Sequence, residues 1–343
     1  MDQVGEFFEN LGYMTFSDGG FWIFAGIIVA VILVYQLLLR FAPKVVAPIH
    51  NFLKKHPMVW LIIPAALLIY FVYVSLGWNL WVSVSDWENG QLEATFGWGG
   101  FGNYAKMFTS PDFWPSLKNT LLLFCLIPIC LLLGLGLALL MDQALKGTAV
   151  FRTLILLPFA LSFVVTGTVW AYMYRPTGGV LNSFLQILGV DVTSAIKNGE
   201  LMWASSNSTI MLSIIIALVW QFSGYVAVIF LAAIKNVPVS VVNAAKLDGA
   251  YMPRIYFKLI IPQLKGAMGS CITILAMYAL RSFDFIVSLV GYTTSSAWTL
   301  PIWMYNEAFQ NNNFAYSAAI SSFLLALVLV LILPLTYWTN KRR

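Results

Sequence analysis

The chain has little charge for its length, and this scarcity excludes an ordinary soluble globular protein. Of its 343 residues, 60% are hydrophobic and only 10% are Asp, Glu, Lys or Arg. A soluble domain carries about 25% charged residues, so too little polar surface is present here to cover a water-exposed globule. The composition therefore predicts a polytopic membrane protein. The net charge of +5 is concentrated in a few loops, which indicates membrane orientation rather than a nucleic-acid surface.

Cysteine and histidine are also scarce, with three and two residues respectively. Cys125, Cys130 and Cys271 all lie in apolar runs, as small buried hydrophobic residues do, so no disulfide framework is predicted. His50 and His56 share a loop without a nearby cysteine or carboxylate. We therefore expect no metal site.

Several motifs of catalysis and nucleotide binding are missing. The sequence contains no G-x-x-x-x-G-K-[ST], H-E-x-x-H, C-x-x-C or G-x-S-x-G run. The chain therefore lacks the usual loop that cradles nucleotide phosphates, and we expect it to bind no cofactor of its own. If it performs energised transport, partner ATPase subunits must supply the energy.

Seven apolar runs are long enough to cross a bilayer, which takes about 20 residues as a helix. Their presence predicts an all-α protein with about seven transmembrane helices. The predicted spans are 20–39, 58–80, 117–141, 154–173, 208–233, 267–290 and 314–338.

Charge at the ends of these spans predicts their orientation. The first 20 residues contain four acids and no Lys or Arg, whereas four Lys and Arg residues follow the first span between positions 40 and 55. Because cytoplasmic loops are enriched in Lys and Arg, the N-terminus is predicted outside. Seven spans then place the basic C-terminus at 341–343 in the cytoplasm. We predict an outer tail, an extra helix and a cytoplasmic linker over 1–57, and a transmembrane core over 58–343.

The loop at 234–265 is a segment rich in polar and charged residues between two apolar runs. Each Lys or Arg at a bilayer centre costs about 2.5–3.5 kcal/mol, so this loop is predicted to lie outside the membrane, in the cytoplasm. Its cations are Lys235, Lys246, Arg254, Lys258 and Lys265, against the single acid Asp248.

The same loop has a helix–turn–helix pattern. Pro238 suits a first helical turn, Asp248 and Gly249 supply a turn in which glycine is free to take positive φ, and Pro262 closes an amphipathic stretch at 251–261. The apolar face of such a unit is too small to fold alone. It must dock on the rest of the chain or on a partner.

The spacing of Asn243-Ala-Ala, Gly249 and Pro262 resembles the "EAA" loop of permease subunits of ABC importers. In that family the loop is a coupling helix that sits in a cleft of the ATPase subunit. This chain departs from the family at Asn243, where Glu is usual, so a charged contact there is not available. The alternative is an ordinary amphipathic loop. The residues that the resemblance assigns to ATPase coupling are Asn243, Ala244, Ala245, Asp248, Gly249, Ala250 and Pro262.

A second segment, Trp298-Thr-Leu-Pro301 followed by 304–309, resembles an outer loop of carbohydrate-uptake permeases. Together with the 234–265 loop, it makes the chain similar to the MalF-like sugar permeases over nearly all residues after 57. The resemblance implies a non-catalytic subunit of the cytoplasmic membrane of a bacterium or archaeon that works by alternating access. It implies as partners a different second permease, two ATPase subunits that hold ATP and Mg²⁺, and an extracytoplasmic solute-binding protein on the outer loops.

Polar and aromatic residues in the fifth and sixth spans are candidates to line the sugar passage. Aromatic faces suit the CH faces of pyranose rings, and an ionisable residue within a span is a functional-site hypothesis. The alternatives are an interfacial belt, helix packing and, for Arg281 and Asp284, a pair along one helix face. The candidate pathway residues are Trp220, Phe222, Tyr225, Tyr278, Ser282 and Asp284.

Other functions stay open at this point. A polyol or glycerol-phosphate importer would share the same fold. A stand-alone channel would not need the 234–265 loop. An intramembrane enzyme needs convergent acid, base or metal groups, and Arg281 and Asp284 are too few for most chemistries.

Overall fold

The structure, a computed structural model, describes residues 55, 58–87, 97–143, 147–197 and 202–340. Within these ranges the chain is helical, apart from loops and one extended bridge between Ser85 and Trp98. Two compact units divide the chain, Met1–Leu76 and Gly77–Arg343. The predicted span 20–39, with His50 and His56, lies outside the described residues.

The helices follow one another with short connections. In chain order they are α1 (Val59–Ser83), α2 (Gly102–Thr109), α3 (Phe113–Leu122), α4 (Leu126–Asp142), α5 (Thr148–Ala160), α6 (Phe163–Met173), α7 (Val180–Ile187), α8 (Val192–Lys197), α9 (Ile210–Lys235), α10 (Val239–Leu247), α11 (Met252–Ile255), α12 (Ile261–Gln263), α13 (Lys265–Leu280), α14 (Phe283–Val290), α15 (Leu300–Tyr305) and α16 (Phe314–Asn340). Single 3₁₀ turns occupy Leu123–Cys125 and Ser295–Ala297, and π-helical turns occupy Tyr256–Ile260 and Asn306–Gln310.

Four stretches of the described chain are long and apolar enough to cross a membrane, and two bent helix pairs raise the number to six. The four are Pro64–Ser83, Phe113–Asp142, Ile210–Lys235 and Phe314–Pro334. They coincide with the predicted spans at 58–80, 117–141, 208–233 and 314–338.

The predicted span 154–173 is not one straight helix. It is built from α5 and α6, whose axes differ by 98°. Pro158 lies in the last turn of α5, and Leu161 and Ser162 are extended. The Ser162 side chain caps α6 by accepting a hydrogen bond from the backbone N–H of Val165. The single-helix prediction was therefore wrong, because a proline and a new N-cap act within five residues.

The predicted span 267–290 is also interrupted. Helix α13 ends at Leu280 and α14 begins at Phe283. Arg281 follows the end of one helix, and Asp284 lies in the first turn of the next, so the two do not share a continuous helix face. Both side chains are exposed, and the described residues show no ion pair between them. The predicted Arg281–Asp284 pair is therefore absent from this conformation.

Helix α9 lies at the centre of the largest hydrophobic core and packs along α4 and α5. Glycines allow this close approach. A Cβ on Gly134 of α4 would lie 2.5 Å from Cγ1 of Val226, and a Cβ on Gly224 would overlap the carbonyl oxygen of Ile155. Gly136, two residues along α4 from Gly134, faces open space instead.

We expect Gly224→Ala to destabilise the fold, because the added methyl meets the backbone of α5 rather than a flexible side chain. Overpacking of this kind costs about 1–3 kcal/mol. The measurement is the apparent melting temperature of the detergent-purified chain, which should fall by several degrees. Gly136→Ala is the matched control and should leave the melting temperature unchanged or slightly higher, since alanine favours helix. Equal melting temperatures for the two variants would contradict the packing described here.

Candidate functional site

The 234–265 loop forms the helix–turn–helix unit that its sequence predicts. Helix α10 begins after Pro238 and ends at Leu247, and α11 begins after Tyr251. The π-helical turn Tyr256–Ile260 and the short α12, which contains Pro262, then lead into α13 through a bend of 62°.

The turn between α10 and α11 is a Schellman motif. The Ala250 N–H donates to the Ala245 carbonyl and the Gly249 N–H donates to the Lys246 carbonyl, both at 3.0 Å. Gly249 occupies the left-handed position after the helix, with φ of +80°, which glycine adopts without steric cost. The motif therefore explains why position 249 is a glycine.

Helix α10 presents two different faces. Val242, Ala245 and Ala250 pack against the central core, so the small side chains hold the helix close to the bundle. The opposite side is exposed and mixes cations with apolar groups. The exposed residues of α10 and its turn include Asn243, Ala244, Lys246, Asp248 and Gly249, together with Leu247 at 90% of full exposure. Further along the loop, Phe257 and Tyr251 are 69% and 67% exposed.

A hydrogen bond joins this loop to the end of the third predicted span. The Tyr256 hydroxyl donates to Oδ2 of Asp142 at 2.6 Å. On either side of Tyr256, Ile255 and Ile260 are buried. Sequence reasoning did not single out Asp142 and missed this partner. A lone acid at a span end offers no signal of which distant tyrosine will reach it.

Three of the six candidate pathway residues meet in one aromatic cluster. Phe222 and Tyr278 have ring centroids 4.7 Å apart, and Tyr225 stacks on Phe159 at 4.3 Å. Phe163 closes the cluster, at 6.0 Å from Phe222 and 5.7 Å from Tyr278. Tyr225 and Tyr278 are half-buried, whereas Phe222 is fully buried. Sequence reasoning missed Phe159 and Phe163, which the break between α5 and α6 brings here.

The other three candidates lie elsewhere. Trp220 packs edge-on against Trp170 at 5.7 Å, and two helical positions separate it from Phe222, so the two side chains leave α9 in different directions. Ser282 is 2% exposed, and its hydroxyl donates to the Ala279 carbonyl. Asp284 is exposed in the first turn of α14.

Gln221 holds the break between α5 and α6. Its side chain is 2% exposed, and Nε2 donates to the Leu161 carbonyl at 3.1 Å. Backbone freed from a helix at membrane depth needs such a partner from a neighbouring span. Because Phe159 and Phe163 flank Leu161, this one hydrogen bond also positions the aromatic cluster. The sequence signal was an amide within an apolar span.

The Trp298–Pro301 segment is tied to α3 by two adjacent polar side chains. Asn119 donates from Nδ2 to the carbonyls of Ser296 and Trp298, at 3.0 and 2.9 Å. Thr120 Oγ1 accepts from the Leu300 N–H at 3.0 Å. Both side chains are buried and were missed in the sequence, although adjacent polar residues in an apolar span signal a structural role.

Ionisable groups are sparse in the part of the chain that the structure describes. It holds no cluster of three or more His, Cys, Asp or Glu that could bind a metal ion. Outside the candidate spans, Asp191 precedes α8, and hydrogen bonds from Ser194 lower the pKa of its carboxyl. The capping interaction is therefore present at neutral pH and is lost as pH falls through that lowered pKa.

Comparison with known proteins adds a family and a fold. A family model described as the inner membrane component of binding-protein-dependent transport systems matches residues 130–341. A probable ABC transporter permease protein of Pyrococcus horikoshii is 44% identical over 283 residues, which are 82% of this chain and 94% of that protein. The xylose/arabinose import permease protein XacH of Haloferax volcanii is 36% identical and covers 82% of this chain and 86% of its own.

Among solved structures, the chain is similar to a bacterial ABC transporter involved in the import of the acidic polysaccharide alginate. The TM-score is 0.69 at 19% identity, and the match covers 86% of this chain and 99% of that one. At this identity the likeness concerns the fold alone. The helix order and the broken spans described above therefore occur within a fold already seen in a transporter subunit.

Proposed function

Because the chain belongs to the family of inner membrane components of binding-protein-dependent transport systems, we propose that it is the permease subunit of an ATP-driven ABC importer for a sugar. A relative supports the cargo class, since the Haloferax volcanii protein is named for xylose and arabinose import. The observation that carries the proposal is the form of the 234–265 loop. Its short helix α10 packs against the bundle through small residues on one face and is exposed on the other.

In this proposal the exposed face of α10 docks in a cleft of an ATPase subunit. Leu247 and Tyr251 supply apolar contact area, and Lys246 supplies charge. Asn243 carries no charge, so docking depends on these neighbours rather than on an ion pair at that position. ATP and Mg²⁺ belong to the ATPase subunits. When the ATPase subunits close, they move the docked helix. The Schellman turn at Gly249 keeps its conformation and transmits this movement to the rest of the loop.

We place the sugar passage beside the aromatic cluster. The half-buried rings of Tyr225 and Tyr278 offer faces and hydroxyl groups to a pyranose, while Phe222 supports them from within the bundle. Ser282 is buried just after the end of α13, where its hydroxyl bonds to the Ala279 carbonyl. Trp220 and Asp284, both exposed, contact the second permease subunit or the moving cargo. A second, different permease chain completes the passage from the opposite side, and an extracytoplasmic solute-binding protein delivers the sugar.

The membrane topology in this proposal has seven spans, the N-terminus outside and the C-terminus in the cytoplasm. Residues 1–57 supply the outer tail, the extra helix and the linker, and 58–343 form the transmembrane core in the cytoplasmic membrane of a bacterium or archaeon. In this topology α5 and α6 together form one span and α13 and α14 together form another, whereas Met252–Gln263 belongs to the loop rather than to a span. The basic 234–265 loop falls on the cytoplasmic side, where positive charge is favoured.

One observation favours a second cargo class, a glycerol-phosphate or similar anionic polyol. Arg281 lies exposed at the break between α13 and α14, and the described residues offer it no ion-pair partner. An available guanidinium within a predicted span suits a phosphate group. A single cation is weaker support than the carbohydrate relatives, so sugar remains the principal proposal.

The first test is purification of the tagged chain from its native membrane in mild detergent. We expect an ATPase to co-purify, and its turnover to rise with one sugar-loaded binding protein from a panel that includes glycerol-phosphate. Stimulation by glycerol-phosphate alone would replace the sugar with the second cargo. Isolation of the chain without any ATPase would contradict the importer proposal and restore the channel or enzyme alternatives.

We expect Gly249→Pro to uncouple ATP hydrolysis from uptake while the subunit stays in the membrane. Proline cannot adopt φ of +80° and removes the N–H that donates to Lys246. Gly249→Asn is the control, because asparagine tolerates the left-handed conformation. Sugar uptake and ATPase activity are measured at equal amounts of membrane-inserted subunit. If the proline variant takes up as much sugar as the asparagine variant, the coupling role of this turn is contradicted.

We expect Tyr278→Leu to weaken sugar transport. The measured effect is a several-fold higher KM for the sugar that the binding protein delivers. The leucine loses the flat face against which a sugar ring stacks. Tyr278→Phe keeps that face and should retain most of the affinity, so the two variants separate ring stacking from the hydroxyl group. Transport assays on equal amounts of assembled complex provide the comparison. Identical KM values for both variants and the parent would remove Tyr278 from the passage.

A further inference from the structure

The hydrogen bond between Tyr256 and Asp142 connects two parts of the chain that are 114 residues apart. Asp142 is the last residue of α4, and Tyr256 is the first residue of the π-helical turn that follows α11. The O···O distance of 2.6 Å lies in the range of charge-assisted O–H···O⁻ bonds. It is a polar link between the 234–265 loop and the α3–α4 span.

The direction of this bond is fixed by chemistry. Burial of the phenol, followed by the contact with Asp142, raises the pKa of Tyr256 to about 12. The group therefore stays protonated at neutral pH and donates, while the carboxylate oxygen accepts. No other acid is present in the 234–265 loop apart from the exposed Asp248, so no neighbouring carboxylate of that loop competes for the proton.

The remaining contacts of the loop with the bundle are mostly apolar. Val242, Ala245 and Ala250 pack against the core, and Ile255, Ile260 and Leu264 are buried in it. These apolar contacts are not directional, whereas a hydrogen bond specifies both distance and angle. The π-helical turn that begins at Tyr256 is a rare feature that often marks functional sites. It turns this part of the chain toward the end of α4.

We propose that the Tyr256–Asp142 hydrogen bond fastens the 234–265 loop to the end of α4, so that movement of α10 reaches α4 as well as the directly connected α9 and α13. This inference rests on the proposed function, since it assigns a transmission route to the same loop. Tyr256 and Asp142 are positioning residues, because neither needs to touch the sugar or the ATP. Helix α4 packs along α9, which carries Phe222 and Tyr225. Movement of the fastened loop therefore displaces α4 and α9 together.

The functional test uses the assembled transporter and compares sugar molecules imported per ATP hydrolysed. Tyr256→Phe and Asp142→Ala should each lower this ratio by about tenfold or more, the size expected for one lost hydrogen bond to a charged group. The double variant should be no worse than either single variant. Asp142→Asn keeps a carbonyl oxygen as acceptor and should retain most of the ratio.

The matched control is Tyr172→Phe, which removes a hydroxyl from an exposed tyrosine outside the loop. Its ratio should equal that of the parent protein, because the described residues give its hydroxyl no hydrogen-bond partner. If Tyr256→Phe behaves like Tyr172→Phe, or if the two single losses add in the double variant, the proposed link is overturned.

A second test needs no ATPase. Lys246, Arg254 and Lys258 are exposed in the 234–265 loop, so trypsin reports how firmly the loop is held in the detergent-purified full chain. Cleavage there should be several-fold faster in Tyr256→Phe and Asp142→Ala than in the parent or in Tyr172→Phe. Equal rates would overturn the fastening. Faster cleavage in a chain that brings down no ATPase would support the fastening while the proposed function fails, so the two failures are distinguishable.

Discussion

Close packing of α9 against α4 and α5 is the contact on which the rest of the structure depends. At Gly224 the backbone of α5 occupies the space where a side chain would begin, and at Gly134 the side chain of Val226 does so. In a membrane the hydrophobic effect adds little to helix association, so such close approach supplies van der Waals energy instead. Helix α9 then presents Phe222 and Tyr225 to the aromatic cluster and delivers the chain into the 234–265 loop.

This packing allows irregular backbone inside an apolar protein. The 98° break between α5 and α6 frees the Leu161 carbonyl from the regular helical bonding pattern. The side-chain amide of Gln221 in α9 donates a hydrogen bond to it. In the same way Asn119 and Thr120 hold the segment before α15. Each of these three side chains bonds to backbone at a place where regular helix stops, because unpaired peptide groups are costly without water. The break that Gln221 satisfies also shapes the aromatic cluster.

The structure of the 234–265 loop depends on its local sequence, and its attachment depends on distant contacts. Glycine at 249 and the small residues Ala245 and Ala250 are enough to specify the Schellman turn, because its hydrogen bonds join residues at most five apart. The attachment of the loop to the bundle depends instead on Asp142, which lies more than 100 residues earlier. Local motifs are visible in a sequence, whereas pairs of this separation appear only when the helices have been assembled.

The sequence by itself determined the membrane class, the helical fold, the positions of the spans within the described residues and the form of the 234–265 loop. These follow from composition, apolar run length and turn chemistry, which act over a few residues to one helix length. Only the tertiary structure decided that the spans 154–173 and 267–290 are broken, that Phe159 and Phe163 join Phe222 and Tyr278, and that Trp220 lies apart from them. The reason is physical, since a proline or a polar residue within an apolar run fits either a straight or a broken helix. The choice depends on whether a neighbour such as Gln221 is in place to satisfy the freed backbone.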